Sequence, residues 1–141
     1  MDRLLEFAAN HWVLTSAFVS IIILIITSSL KDAMGASNAV TPLEATKLIN
    51  HDNAVVVDVR EDKEFAEGHI VNAVHMPLAT LKDQTNKLAK YKSRAVIVSC
   101  RSGHRSAMAC KTLTNEGFEN VMNLKGGVLA WSSDNLPLTK K

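Results

Sequence analysis

Residues Ala95 to Ser106 read AVIVSCRSGHRS, and this stretch decides the fold. Its first part, Ala95 to Ser99, is an uncharged run dominated by β-branched residues, the pattern of a strand buried on both faces. The chain then turns polar at Cys100 and carries Arg101, Ser102, Gly103, His104, Arg105 and Ser106 into a helical stretch that Gly117 closes after Glu116. A buried strand, a short polar loop and a helix are the opening half of a βαβ unit. Ligands of such folds lie at the carboxyl ends of the strands, which is where Cys100 falls.

Working outward, Ala54 to Val59 (AVVVDV) is a second buried-strand pattern and ends in Asp58-Val59-Arg60. Before it, Thr41-Pro42-Leu43-Glu44 starts a helix: Thr41 caps, Pro42 suits the first helical position and Glu44 completes a capping box. Ala45, Leu48 and Ile49 give that helix its apolar stripe as far as Asn50. Glu61 to Gly68 reads as a short helix, Ile70 to His75 as a short strand stopped by Pro77, and Leu78 to Tyr91 as a weak helical stripe. Val121 to Leu124 is a further strand, followed by Gly126-Gly127 and a helical turn from Val128 to Ser132 that carries Trp131. The alternation predicts an α/β sandwich with a mostly parallel sheet and no internal repeat.

The chain has 141 residues, enough for one domain and too few for two enzymatic ones. Composition excludes disorder, since 47% is hydrophobic and 21% charged. Two cysteines, Cys100 and Cys110, make no disulfide scaffold. A net charge of +2 from 16 basic and 14 acidic residues gives no field suited to nucleic acid.

The N-terminal part reads differently. From Trp12 to Leu30 (WVLTSAFVSIIILIITSSL) no charged residue occurs, and a helix of that length spans roughly 30 Å, the thickness of a hydrocarbon core. The expectation is an N-terminal flank at 1–11, a transmembrane anchor at 12–30, a tether at 31–40 and a catalytic domain at 41–141. A cleaved signal peptide with Ser37 and Ala39 before the cut is the competing reading. Asp2 and Glu6 against Arg3 make a poor n-region for it. Arg3 before the segment, with Lys31 and Lys47 after it, favours a cytoplasmic C-terminal domain on a single-pass membrane protein.

The loop carries the chemistry. A tight turn at a helix N-terminus points successive backbone N–H groups into one cavity that binds anions. The same setting lowers the pKa of a cysteine at its mouth. Arg101 and Arg105 add positive charge, and Gly103 allows a backbone angle a side chain resists. This describes a nucleophilic cysteine facing an anionic substrate. The bland alternative is a small core residue in an ordinary turn. Cys100, Cys110, His69, His75 and His104 offer ligand atoms without a close pair at the usual spacing, so no metal site is expected.

An ordered set of short motifs spans Thr41 to Leu138: Asp58-Val59-Arg60, Glu64-Phe65, Gly68-His69-Ile70 with Ala73, Met76-Pro77, the Cys100 to Ser106 loop, Gly117-Phe118, Leu124-Lys125-Gly126-Gly127 and Trp131. In these the chain resembles a single-domain rhodanese, or sulfurtransferase, of the membrane-anchored bacterial type. The family's more common Pro-Gly is Val71-Asn72 here. The resemblance implies a rhodanese-like three-layer sandwich preceded by one transmembrane helix, anchored at a bacterial inner membrane. It implies transfer of sulfane sulfur from thiosulfate or a persulfide donor to a thiol or other nucleophile through a Cys100 persulfide, without a cofactor. Implied roles are Cys100 as nucleophile, Arg105 positioning the loop or the anion, and Arg101 at the rim selecting anionic donors. Ser102, Gly103, His104 and Ser106 complete the binding loop, and Asp58 and Arg60 support it. Implied partners are a small anionic donor or persulfide-carrying protein, a thiol acceptor, and the lipid bilayer through residues 12–30. Cys110 is expected to pack in the core.

Two other classes compete. Cysteine-dependent phosphatases and arsenate reductases place one more residue between cysteine and arginine than the four found here, residues 101–104. A membrane-tethered, non-catalytic interaction module would have no need of Cys100, Gly103 and Arg105.

Overall fold

Val55–Asp58 (β2) and Ala95–Ser99 (β5) lie side by side in the computed structural model, paired in parallel with Val56 opposite Ile97 and Asp58 opposite Ser99. The structure describes residues 11–35 and 38–140. The two strands are the centre of a five-stranded parallel sheet completed by Ala39–Val40 (β1), Val74–His75 (β4) and Asn120–Leu124 (β6), in the order β1-β6-β5-β2-β4. Both faces of the sheet are covered. On one, Val55, Val57, Val96, Val98 and Val121 meet Leu81, Leu88, Leu113 and Phe118. On the other, Val56, Ile97 and Leu124 meet Ala45, Ile70 and Trp131. Buried β-branched strands with helices on both sides form the expected α/β rhodanese-like sandwich.

The helices follow from local signals. Pro42–His51 (α2) starts on the expected capping box: the Thr41 hydroxyl accepts from the Glu44 amide at 3.3 Å, and Glu44 accepts from the Thr41 amide at 2.8 Å. Asp62–Glu67 (α3), Leu78–Gln84 (α4) with a 3-10 turn over Thr85–Tyr91, His104–Asn115 (α5) and Gly127–Ser133 (α6) complete the layers. The stretch read as one strand from Ile70 to His75 is two. His69–Ile70 (β3) pairs antiparallel with Leu138–Thr139 (β7) in a separate two-stranded sheet. Asn72, at φ 62°, turns the chain before β4, and the Ala73 amide closes that turn onto the Ile70 carbonyl at 3.0 Å. Ala39 and Val40, read as tether, form β1 at the sheet edge.

The chain divides into two compact units, Met1–Ser37 and Asn38–Lys141. The first contains the helix Trp12–Gly35 (α1), whose side chains are described as far as Thr27. Among the described residues no helix is long and apolar enough to cross a membrane. This overturns the transmembrane helix expected at 12–30. With it go the membrane-anchored type, the single-pass inner-membrane location with a cytoplasmic domain, and the lipid bilayer as a partner. The apolar run is interrupted by the hydroxyls of Thr15, Ser16, Ser20 and Thr27, each bonded to a carbonyl one turn earlier. The helix also runs on through Lys31 and Asp32 instead of stopping at Leu30. The flank at 1–10 and the small residue Ser37 lie outside the described residues.

Candidate functional site

Cys100 leaves the carboxyl end of β5 and is 1% exposed. Its Sγ accepts a hydrogen bond from the Gly103 amide at 3.1 Å, and the Ser106 Oγ lies 3.3 Å away. Backbone amides of Ser106 and Ser102 also act on the sulfur. Burial pushes this thiol up, but the Ser106 hydroxyl and the amides of Ser106, Gly103 and Ser102 outweigh it and hold Cys100 below the ordinary thiol value of 9.0.

The amides turn inward because the carbonyls are taken elsewhere. The Val128 amide donates to the Cys100 carbonyl at 2.8 Å, and the Leu129 amide donates to the Arg101 carbonyl at 3.1 Å. Both are first-turn amides of α6, groups that have no partner within their own helix. The loop and the helix thus satisfy each other. Their approach is close: a Cβ on Gly127 would lie 2.3 Å from the Cys100 oxygen and 2.6 Å from the Arg101 carbonyl carbon. The Gly126-Gly127 pair therefore lets α6 seat itself against the back of the loop. Gly103, at φ 99°, supplies the left-handed residue at the start of α5.

Cys100, Ser102, Gly103 and Ser106 thus converge on one sulfur, and Arg105 is placed differently. Its guanidinium donates to both carboxylate oxygens of Glu64 on α3, at 2.8 and 2.7 Å. Arg105 holds Glu64 well below its ordinary value of 4.5, at about 2. The pair clamps α3 to the start of α5, so the Arg105 charge is already matched by a carboxylate. Arg101 is exposed and lines a cleft of about 250 Å³ with Arg60, Glu64, Gly68, Leu129 and Leu138. His104 is exposed on the first turn of α5.

Asp58 and Arg60 sit at the neighbouring strand end as a buried ion pair, with Arg60 Nη2 2.7 Å from Asp58 Oδ2. Arg60 also donates to the Gly68 carbonyl at 2.8 Å. The pair pins the corner between α3 and β3, and the residue between its members joins the strand that leads into the loop: the Val59 amide donates to the Ser99 carbonyl at 2.9 Å. Cys110 packs against the core on the loop side of the sheet, and burial pushes its thiol up to about 12.

One residue at the sulfur has no counterpart in the sequence reading. Asn123 of β6 accepts from the Ser106 hydroxyl at 2.6 Å and donates from Nδ2 to the Gly103 carbonyl at 3.0 Å. Its signal in the sequence is weak, a polar residue between Met122 and Leu124 in an otherwise apolar strand end. Glu64 was part of the motif set, but its pairing with Arg105 across 41 positions is visible only in three dimensions.

A family model described as a rhodanese-like domain matches residues 41–134. An Escherichia coli protein called uncharacterized protein YibN is 33% identical over 141 residues, covering 99% of both chains. A sulfurtransferase of Allochromatium vinosum is 35% identical over 92 residues, covering 65% of this chain and 84% of its own. Among solved structures, a rhodanese-like domain protein from Staphylococcus aureus is 30% identical with a TM-score of 0.65, covering 74% of this chain and 98% of its own.

Proposed function

The chain belongs to the rhodanese-like domain family, and on that premise we propose that it is a sulfurtransferase in which Cys100 carries the moving sulfur. The observation that carries this reading is the set of donors around one buried Sγ, which favours an anion there. Anionic Cys100 attacks the outer sulfur of thiosulfate or of an organic persulfide. A new S–S bond forms to Cys100, the donor's S–S bond breaks, and sulfite or a thiolate leaves with the electron pair. An acceptor thiolate or cyanide then attacks the outer sulfur of the Cys100 persulfide, and Cys100 departs as thiolate. The sulfur moves between nucleophiles with no net oxidation.

Arg101 is exposed and lines the cleft, and is the residue to meet an anionic donor. Arg105 acts as a positioning residue, because Glu64 holds its guanidinium in a two-point pair. That pairing also argues against phosphoryl transfer, where the loop arginine has to face the substrate's oxygens.

The test is the intact mass of the full chain after incubation with thiosulfate, then separately with a glutathione persulfide donor, and again after cyanide. The expected result is a gain of one sulfur atom that cyanide removes and that Cys100→Ser lacks. Reduced, folded protein that gains sulfur from neither donor overturns the assignment.

A further inference from the structure

The Ser106 hydroxyl has one proton and two neighbours that accept it, Asn123 Oδ1 at 2.6 Å and Cys100 Sγ at 3.3 Å. The orientation of the Asn123 amide is forced. Its other end meets the Gly103 carbonyl at 3.0 Å, and a carbonyl only accepts, so that end is the NH₂ group and the end facing Ser106 is the oxygen. An amide oxygen also only accepts, so the short contact is Ser106 donating to Asn123. In that arrangement the hydroxyl turns its lone pairs, not its proton, toward Cys100.

We propose that Asn123 is a positioning residue of this site: it holds the Ser106 hydroxyl proton on its own amide oxygen and so sets when that proton reaches the Cys100 sulfur. While Cys100 is a thiol, its S–H donates to Ser106 Oγ and the hydroxyl donates to Asn123, an unbroken chain in which every proton has an acceptor. When Cys100 loses its proton to water, lone pairs on Ser106 Oγ would face an anion. Rotation about the Ser106 Cα–Cβ and C–O bonds then carries the hydroxyl proton to the sulfur. Asn123 loses one accepted bond and keeps its grip on Gly103, whose own amide continues to donate to the same sulfur. The one side chain thus ties the fixed donor and the switchable donor together.

This rests on the proposed role of Cys100 for its meaning in turnover. There the switch acts twice, when the resting thiolate forms and when Cys100 departs as thiolate from its persulfide. The proton arrangement itself is independent of any sulfur chemistry, and so is its test.

The test is a double-mutant cycle on the full chain, using Asn123→Ala, Ser106→Ala and both together. The readout is the pH midpoint of iodoacetamide alkylation, with the Cys100 peptide identified by mass spectrometry. Asn123→Ala releases the hydroxyl to the sulfur, and the midpoint is expected to fall by about one pH unit. Ser106→Ala removes the donor and raises the midpoint by about as much. The double variant is expected to match Ser106→Ala, because Asn123 acts through the hydroxyl. An upward or absent shift in Asn123→Ala, or the same shift with and without Ser106, overturns the proposal in favour of a merely structural hold on the loop. Asn123→Leu, which keeps the volume without the amide, repeats the measurement so that a packing defect does not decide it. No sulfur donor is used, so failed sulfur loading by the wild type sinks the sulfurtransferase reading and leaves this result standing.

Discussion

Cys100 and Cys110 stand ten positions apart, one at the start of the loop and one in the second turn of α5, and both are held away from solvent to some degree. Cys100 is the more buried of the two, yet its thiol is brought below the ordinary value, while Cys110 is pushed up to about 12. Burial opposes the charged form at both sites. What separates them is the backbone. Cys100 follows a strand and precedes a helix, so amides reach its sulfur, and α6 removes the loop carbonyls to the far side. Cys110 lies within a helix, where neighbouring amides are committed to the helix itself. Solvent exposure therefore says little about the ionisation of a cysteine until the nearby donors have been counted.

The sharpest way to break this contrast is exchange at the sulfur itself. Cys100→Ser is expected to abolish sulfur loading completely, and Cys110→Ser to leave it at one sulfur per chain, both read by intact mass. The second expectation concerns the surface that turns the carbonyls away. Gly127→Ala places a methyl group inside contact distance of the Cys100 and Arg101 carbonyls at a residue with φ 58°. It is expected to cost about 2–4 kcal/mol in urea unfolding and to slow Cys100 alkylation near neutral pH at least about tenfold. An unchanged alkylation rate would mean that the loop holds its amides without α6.

Alkaline pH sharpens the contrast from the side of stability. The Cys110 thiol ionises at the ordinary 9.0 when unfolded and at about 12 when folded. Above 9.0 the unfolded chain binds fewer protons, so stability is expected to fall as pH rises from 9 toward 12, and Cys110→Ala should lack that part of the slope. Cys100 has the opposite sign. Its contribution is full above the ordinary thiol value and is lost as pH falls through its lowered folded value. Denaturant unfolding of the two single-cysteine variants across this range measures both. The smallest effect is expected at the Glu64–Arg105 pair, which is partly open to solvent. Its contribution is present above 4.5 and lost as pH falls through about 2, and Glu64→Gln should remove that acid dependence from the unfolding curve.

What the sequence disclosed and what it withheld divide along the same line. The buried strands at 54–59 and 95–99, the capping box at Thr41 and the turn after Cys100 are local patterns, and the fold has them within a residue or two. The strand read across 70–75 failed because Asn72 breaks it, and an asparagine's tolerance for positive φ leaves no mark distinct from an exposed polar residue. The membrane anchor failed because an uncharged run alone does not fix how much of a helix is apolar along its length. Around Cys100 the loop residues were legible from their spacing. Asn123 and the Glu64 partnership of Arg105 were not, since both depend on which residues two separate strands and helices bring together.

The place of β6 and α6 in the chain has a consequence for how the protein is made. Everything that shapes the environment of Cys100 from behind, namely Asn123, Gly127, Val128 and Leu129, is encoded more than twenty codons after Cys100 itself. A ribosome adding about 5–20 residues per second needs a second or more to cover that interval, and the exit tunnel delays it further. Until then the carbonyls of Cys100, Arg101 and Gly103 lack the partners that hold them in the folded chain. β1 likewise waits for β6 before the sheet edge can close. The surroundings of the Cys100 sulfur are thus completed only late in synthesis.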